Sequence, residues 1–324
     1  MYTHFFGLQE RPFGLTSNLK YFLLTPKHQE ALANLEYGLA DGDGVTLLLG
    51  EAGTGKTTLL RKVLAEHLQR PSAAPVRWAY LNNPKLRPHE FFDSLAHAFG
   101  LSPGAARDKS AFLREFECNL AAYREKRGLT VLIVDEAQSL PDELLEEVRL
   151  LANIETETEK LLRIVLAGQP GLGNRLNEAA LPQLKQRVGL RCTLPPLDLQ
   201  ESAIYIAHRL VLAGGDPGQC FSREAVMTIY ERSRGILRTI NVIADNALLT
   251  GFAADQRPVG RDIVLDVCRD FDLEAAQFHS PVASMRIVHG STPAEPAGPT
   301  RVPSSVAADS GRWFSFPRLS LGRR

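Results

Sequence analysis

Eight residues, GEAGTGKT from Gly50 to Thr57, constrain this chain more than anything else in it. They fit G-x-x-x-x-G-K-[ST], and their surroundings are the ones that pattern needs: an apolar run, Val45–Leu49, leads in and a helical stretch from Lys56 to about Leu68 leads out. A strand, a glycine-rich turn and a helix start aim several backbone N–H groups at one spot. There the aligned peptide dipoles attract phosphate. Gly50, Glu51, Ala52, Gly53, Thr54, Gly55, Lys56, Thr57 and Thr58 are therefore expected to hold ATP. Lys56 should reach the β- and γ-phosphates, and the Thr57 hydroxyl should ligate Mg²⁺.

A second segment supplies the carboxylates. In LTVLIVDEAQSL, Leu129 to Leu140, a fully apolar strand over Leu129–Val134 ends in Asp135-Glu136. In a parallel sheet such a strand delivers its last residues to the carboxyl edge, beside the phosphate loop. Asp135 is expected to hold the Mg²⁺ shell, and Glu136 to polarise the attacking water. Gln169, after the strand LLRIVLAG, is placed to sense the γ-phosphate and orient that water. Arg187, in LPQLKQRV, precedes the last strand, where this class of P-loop ATPase often carries an arginine that acts on a neighbouring subunit; Arg191 and Arg175 lie nearby. Arg238, in SRGILRTINVIADNAL, is expected to report nucleotide state to a helical domain.

Around these motifs, apolar runs alternate with helical stretches up to Pro195-Pro196, and beyond them only helical periodicity remains. The expected architecture is α/β: a parallel P-loop sheet domain of the ASCE type over 28–196, with a smaller all-α lid over 197–272. Residues 1–27, rich in aromatics and turn formers, read as an irregular segment packing on the domain that follows. Residues 273–324 turn to Pro, Ser, Ala and Gly and read as a disordered spacer. Its end, GRWFSFPRLSLGRR, interleaves aromatics with arginines and reads as an anchor for a partner surface or an anionic membrane.

The 37 basic residues balance 37 acidic ones, so no global field recruits nucleic acid. The histidines lack metal-ligand spacing and no G-x-S-x-G occurs, which argues against a catalytic zinc or a serine nucleophile. Four scattered cysteines read as buried thiols in a reducing compartment. No basic segment leads into an apolar core at the N-terminus, and no apolar run is long enough to span a bilayer. The expected location is the cytoplasm, at the periphery of the inner membrane.

The opening segment MYTHFFGLQERPFGLTSNLKYFLLTPKHQEALANLEYGL resembles that of the general secretion pathway protein A ATPases, as do VDEAQSL, LAGQPGL, LPQLKQRV and SRGILRTIN. Relatives in pilus biogenesis and in exopolysaccharide-linked protein-sorting loci begin alike. The resemblance covers roughly residues 1–270 and implies an AAA+ ATPase, active as a homo-oligomer, that helps assemble an envelope secretion or export apparatus. The family commonly continues into a transmembrane helix and a peptidoglycan-binding module, neither of which follows here, so wall binding is not carried over. Leu237 stands where the family usually has proline before the arginine. Two other readings stay open: a DNA-associated ATPase resembling transposition helper proteins, and a slow nucleotide-dependent recruitment switch.

Overall fold

The computed structural model of the chain describes residues 1–40, 42, 44–69, 74–82, 86–177 and 181–273. The tail from residue 274, with its expected spacer and anchor, lies outside the described residues. After a one-turn helix α1 (Tyr2–Phe5) come α2 (Pro26–Ala40), β1 (Val45–Gly50), α3 (Lys56–Gln69) and β2 (Val76–Leu81). Helices α4 (Pro88–Phe99) and α5 (Lys109–Glu125) lead into β3 (Leu129–Val134) and α6 (Asp142–Leu151). Then follow β4 (Arg163–Gly168), α7 (Pro170–Asn177), α8 (Pro182–Gln186) and β5 (Val188–Leu194).

The five strands are parallel and ordered β2-β3-β4-β1-β5. Every residue of β1, β3 and β4 is buried, because helices cover both faces of a parallel sheet and the strands have no wet side. Edge strand β5 keeps a partial alternation of buried and exposed residues. One face buries Phe91, Phe112, Phe116 and Leu144 of α4, α5 and α6. The other buries Leu35 of α2 with Leu59, Leu60 and Val63 of α3. The register pairs Leu49 with Gly168 and Val134 with Leu166, so β1, β4 and β3 end together at one edge.

The helical part comprises α9 (Leu199–Leu212), α10 (Pro217–Cys220), α11 (Arg223–Ser233), α12 (Leu237–Ala253) and α13 (Arg261–Asp270). Helix α9 starts where it does because Asp198 and Glu201 form a reciprocal capping box. Ser222 caps α11 by accepting from Ala225 N at 3.1 Å.

Residues 1–27 differ from expectation. Only Phe22 and Leu24 join the sheet-side core; Tyr2, Phe6, Leu8 and Phe13 belong to the core of the helical part. The reason is complementary apolar surface. Phe5 packs edge-on against Phe252 at 5.6 Å, and Phe13 against Phe221 at 6.2 Å. Polar contacts fix the register: Gln9 N donates to Ala213 O at 2.8 Å, and both Tyr2 and Arg11 donate to Asp245 on α12. The cysteine expectation is also corrected in one case: Cys192, Cys220 and Cys268 are buried, but Cys118 is exposed on α5. Burial pushes the Cys192 and Cys220 thiols up to about 11.

Because Phe13 is 1% exposed inside the helical core, Phe13→Ala is expected to cost about 3–5 kcal/mol of stability, read from denaturant unfolding. An unfolding free energy unchanged from wild type would show that the opening segment does not share that core.

Candidate functional site

The phosphate loop leaves β1 at Gly50 and enters α3 at Lys56. Gly53 and Gly55 sit at φ +85° and +97°, a left-handed region that strains any side-chain-bearing residue. A Cβ at Gly53 would also come within 2.7 Å of the Arg238 Cβ. The Thr54 hydroxyl donates to Glu51 O at 2.9 Å and closes the turn. Lys56, only 4% exposed, donates to Gly50 O at 2.8 Å and Glu51 O at 3.0 Å. Burial lowers its pKa, and the carboxylates of Glu136 and Asp135 oppose that shift. Glu51 and Ala52 are exposed on the outside of the turn, while Thr58 is half-buried on α3.

Beneath the loop lies His28, 2% exposed on α2. Its Nε2 faces Thr54 O at 3.4 Å and its Nδ1 meets the Thr25 hydroxyl at 2.8 Å. A carbonyl only accepts, so Nε2 carries the proton and Nδ1 accepts from Thr25. Burial holds the His28 pKa below its ordinary value, against weaker opposing effects of Thr54 O and Glu201.

Two strands away, separated by β4, the end of β3 presents Asp135 and Glu136 to the same cleft. Asp135 is 3% exposed and fully engaged. Its Oδ2 accepts from the Thr57 hydroxyl at 2.6 Å and the Tyr80 hydroxyl at 2.7 Å, and its Oδ1 accepts from Glu136 N at 2.9 Å. Burial, then the bond to Asp135, raises the Tyr80 pKa and keeps that hydroxyl a donor. Glu136 adopts φ 54°, a left-handed conformation that costs a non-glycine residue about 1–2 kcal/mol. The Gln138 side-chain amide donates to Glu136 Oε2 at 2.6 Å. Gln169, from the end of β4, approaches the same oxygen at 3.5 Å.

The helical part closes the cleft. Arg238 N, in the first turn of α12, donates to Gly53 O at 3.2 Å, and Leu237 lies against Gly55. The Arg238 side chain lines a cleft of about 260 Å³ together with Lys56, Thr57 and Glu136. The far wall comes from Tyr21 and Phe22 of the opening segment and from Tyr205 and Arg209 of α9. Arg209 is 5% exposed; it donates to Pro12 O at 2.6 Å and lies 4.9 Å from the Tyr21 ring centroid. Arg187 stands apart. It is exposed, and its carbonyl accepts from Val45 N, at the end of β5 opposite the Gly50–Leu194 pairing. From there it cannot reach the phosphate loop of its own chain.

Lys56, Thr57, Asp135, Glu136, Gln169 and Arg238 are thus gathered at one edge, and Arg187 is not among them. Sequence reasoning missed Tyr80, Gln138, His28 and Arg209. Gln138 stood inside the quoted motif, two residues beyond Glu136, and was within reach. Tyr80 and Arg209 are marked by no local pattern. The set fits a magnesium nucleotide. The Thr57 hydroxyl and a buried carboxylate meet at 2.6 Å beside a loop in which a Cβ at Gly50 or Gly53 would come within 2.7 Å of a neighbouring atom.

A family model described as AAA domain matches residues 39–176. General secretion pathway protein A of Aeromonas hydrophila is 42% identical over 261 residues, covering 78% of this chain and 45% of that protein. The chain therefore spans less than half the length of that curated relative. Three solved structures share the fold. Aeropyrum pernix ORC1 in complex with DNA has a TM-score of 0.60 at 21% identity, covering 81% of this chain and 69% of that one. Drosophila ORC bound to DNA has a TM-score of 0.59 at 20% identity, covering 81% and 66%. Cdc6p from Pyrobaculum aerophilum has a TM-score of 0.58 at 19% identity, covering 78% and 70%. At such identities the likeness is one of fold alone.

The buried His28 generates a pH expectation. Its folded pKa lies below the unfolded value of about 6.5, so the unfolded chain takes up the proton first as pH falls. The His28 contribution to stability should be full above that value and fall away below it. Denaturant unfolding of wild type and His28→Gln between pH 8 and about 5 should show a stability difference that shrinks on acidification. A pH-independent difference would contradict the buried neutral ring.

Proposed function

Because residues 39–176 match a family model described as AAA domain and the chain is 42% identical to general secretion pathway protein A of Aeromonas hydrophila over 261 residues, we propose that it is an ATPase. Its cycle drives or regulates assembly of a bacterial secretion or envelope-export apparatus. The observation that carries this reading is the convergence of Lys56, Thr57, Asp135 and Glu136 on one cleft, with Arg238 of the lid on its rim. Lys56 would exchange its carbonyl partners for the β- and γ-phosphates. Backbone N–H groups at the start of α3 would hold their oxygens. The base would lie toward Tyr21 and Phe22, where aromatic surface lines the far wall. Mg²⁺, held by Thr57 with Asp135 behind it, would neutralise charge on the transferred group. Glu136 would orient and polarise water for in-line attack, and Gln169 would touch the γ-phosphate.

Work in an apparatus requires that hydrolysis move something, and Arg238 links the cleft to the lid. A lid that shares its core with residues 1–13 would carry that segment with it. Among the described residues no helix is long and apolar enough to cross a membrane.

Lys56→Ala is expected to abolish ATP binding, because it removes the buried cation of the loop. Glu136→Gln should keep ATP bound while slowing hydrolysis by about 100-fold or more, since it preserves size and removes the base. Equilibrium binding and phosphate release measured on both variants test the pair. Wild-type affinity in the first, or wild-type turnover in the second, would move the site elsewhere.

Arg187 is assigned to a neighbouring subunit's cleft, since it lies at the opposite sheet edge from its own. There a guanidinium would stabilise charge developing on the phosphoryl group. Mixed assemblies of Arg187→Ala and Glu136→Gln subunits, each inactive alone, are expected to regain measurable turnover. No recovery at any ratio, with co-assembly established, would end the shared-site model.

A further inference from the structure

Gln138 has both ends of its amide committed. Nε2 donates to Glu136 Oε2 at 2.6 Å, and Oε1 accepts from the backbone N of Gln169 at 3.0 Å. One side chain thereby ties the expected catalytic carboxylate to the end of β4. We propose that Gln138 is a positioning residue for hydrolysis, holding the Glu136 carboxylate toward the cleft in register with Gln169. The proposal rests on the ATPase reading of this site.

Three further features support the assignment. Glu136 lines the cleft in this posture, so the contact restrains it on the side where a nucleotide would lie. With Oε2 taken by Gln138, Oε1 is left to accept from water, and a carboxylate held at one oxygen loses rotamers that would turn it away. The backbone that carries Gln138 is also held from outside. Arg175 Nη1 donates to Gln138 O and Leu140 O, each at 2.8 Å, while its other nitrogen pairs with Asp142. Space is reserved as well: a Cβ at residue 168 would come within 2.8 Å of Gln138 Oε1, so the glycine that ends β4 makes room for the bridge.

The chemistry demands an amide. Glutamate at this position matches its size but has no N–H to give and would set a second negative charge against Glu136. Leucine fills the volume and makes neither bond. Histidine, serine or threonine could not span donor and acceptor in the same directions.

The test compares Gln138→Leu, Gln138→Glu, Glu136→Gln and the Glu136→Gln/Gln138→Leu double variant with wild type in the full chain. ATP binding is measured separately from kcat and KM. Gln138→Leu and Gln138→Glu are expected to lower kcat about 10- to 100-fold, the usual effect of a misplaced reacting group, with ATP Kd and KM within about twofold of wild type. In the double variant, Gln138→Leu should add no further loss, because its effect runs through a carboxylate already removed. A kcat of Gln138→Leu within about twofold of wild type, a kcat above it, or multiplicative losses in the double variant would overturn the proposal. So would a loss that appears in Kd or unfolding midpoint instead of kcat. If Gln138→Leu does not fold, the isosteric Gln138→Glu carries the same reading. Wild-type turnover that Glu136→Gln abolishes keeps the ATPase reading standing whatever Gln138 does. Absence of wild-type turnover identifies that reading as the one at fault, and the positioning role falls with it.

Discussion

The Thr57 hydroxyl reaches Asp135 across 2.6 Å, and the arrangement of the site depends on that bond. It joins the first turn after the phosphate loop to the end of a strand that is not its neighbour in the sheet. The bond can form only because β4 lies between β1 and β3 with all three ending together. A slip of one residue in either pairing would turn every side chain of a strand to the opposite face and carry Asp135 away from Thr57. The buried leucines, isoleucines and valines of the central strands hold that register. Their contribution to function is positional.

Strand order also explains why an uncharged residue, Gln169, falls between the loop and the carboxylates. The strand that bears it is the one interposed. Its backbone N–H and side-chain amide both face the Glu136 and Gln138 pair. The left-handed backbone at Glu136 turns the chain sharply after β3, so that a side chain two residues on can fold back onto the carboxylate. Local strain at such a point is offset by the bonds that over-determine it.

A different constraint governs the lid. Helix α12 touches the phosphate loop at one end, through Arg238 N and Gly53 O, and grips Tyr2 and Arg11 through Asp245 two turns further on. Arg209 pins Pro12 from the neighbouring helix. The opening segment therefore runs from the helical core, along the cleft, to the sheet domain, and its Tyr21 and Phe22 line the cleft beside Tyr205 and Arg209 of α9. Lid and segment share one apolar core.

Much of this was legible along the chain. The period of the apolar residues announced the strands and helices, and glycines at fixed spacing announced the phosphate loop. A strand ending in two carboxylates announced Asp135 and Glu136. Each of these is a short-range property: a strand buried on both faces must be apolar throughout, and a loop curling around phosphate must contain glycine. The bond from Tyr80 to Asp135 spans 55 residues, and that from Arg209 to Pro12 spans 197. Neither leaves a mark in any local pattern, because a tyrosine or arginine looks the same in sequence whether it ends in water or against a carboxylate. The same holds for the aromatic opening segment, whose residues demanded burial but did not say against what. The sequence by itself determined the glycine pattern of the loop, the order of the elements and the need for a core. Only the tertiary structure decided which distant side chains meet, since that choice is made by complementary surfaces brought together across the whole fold.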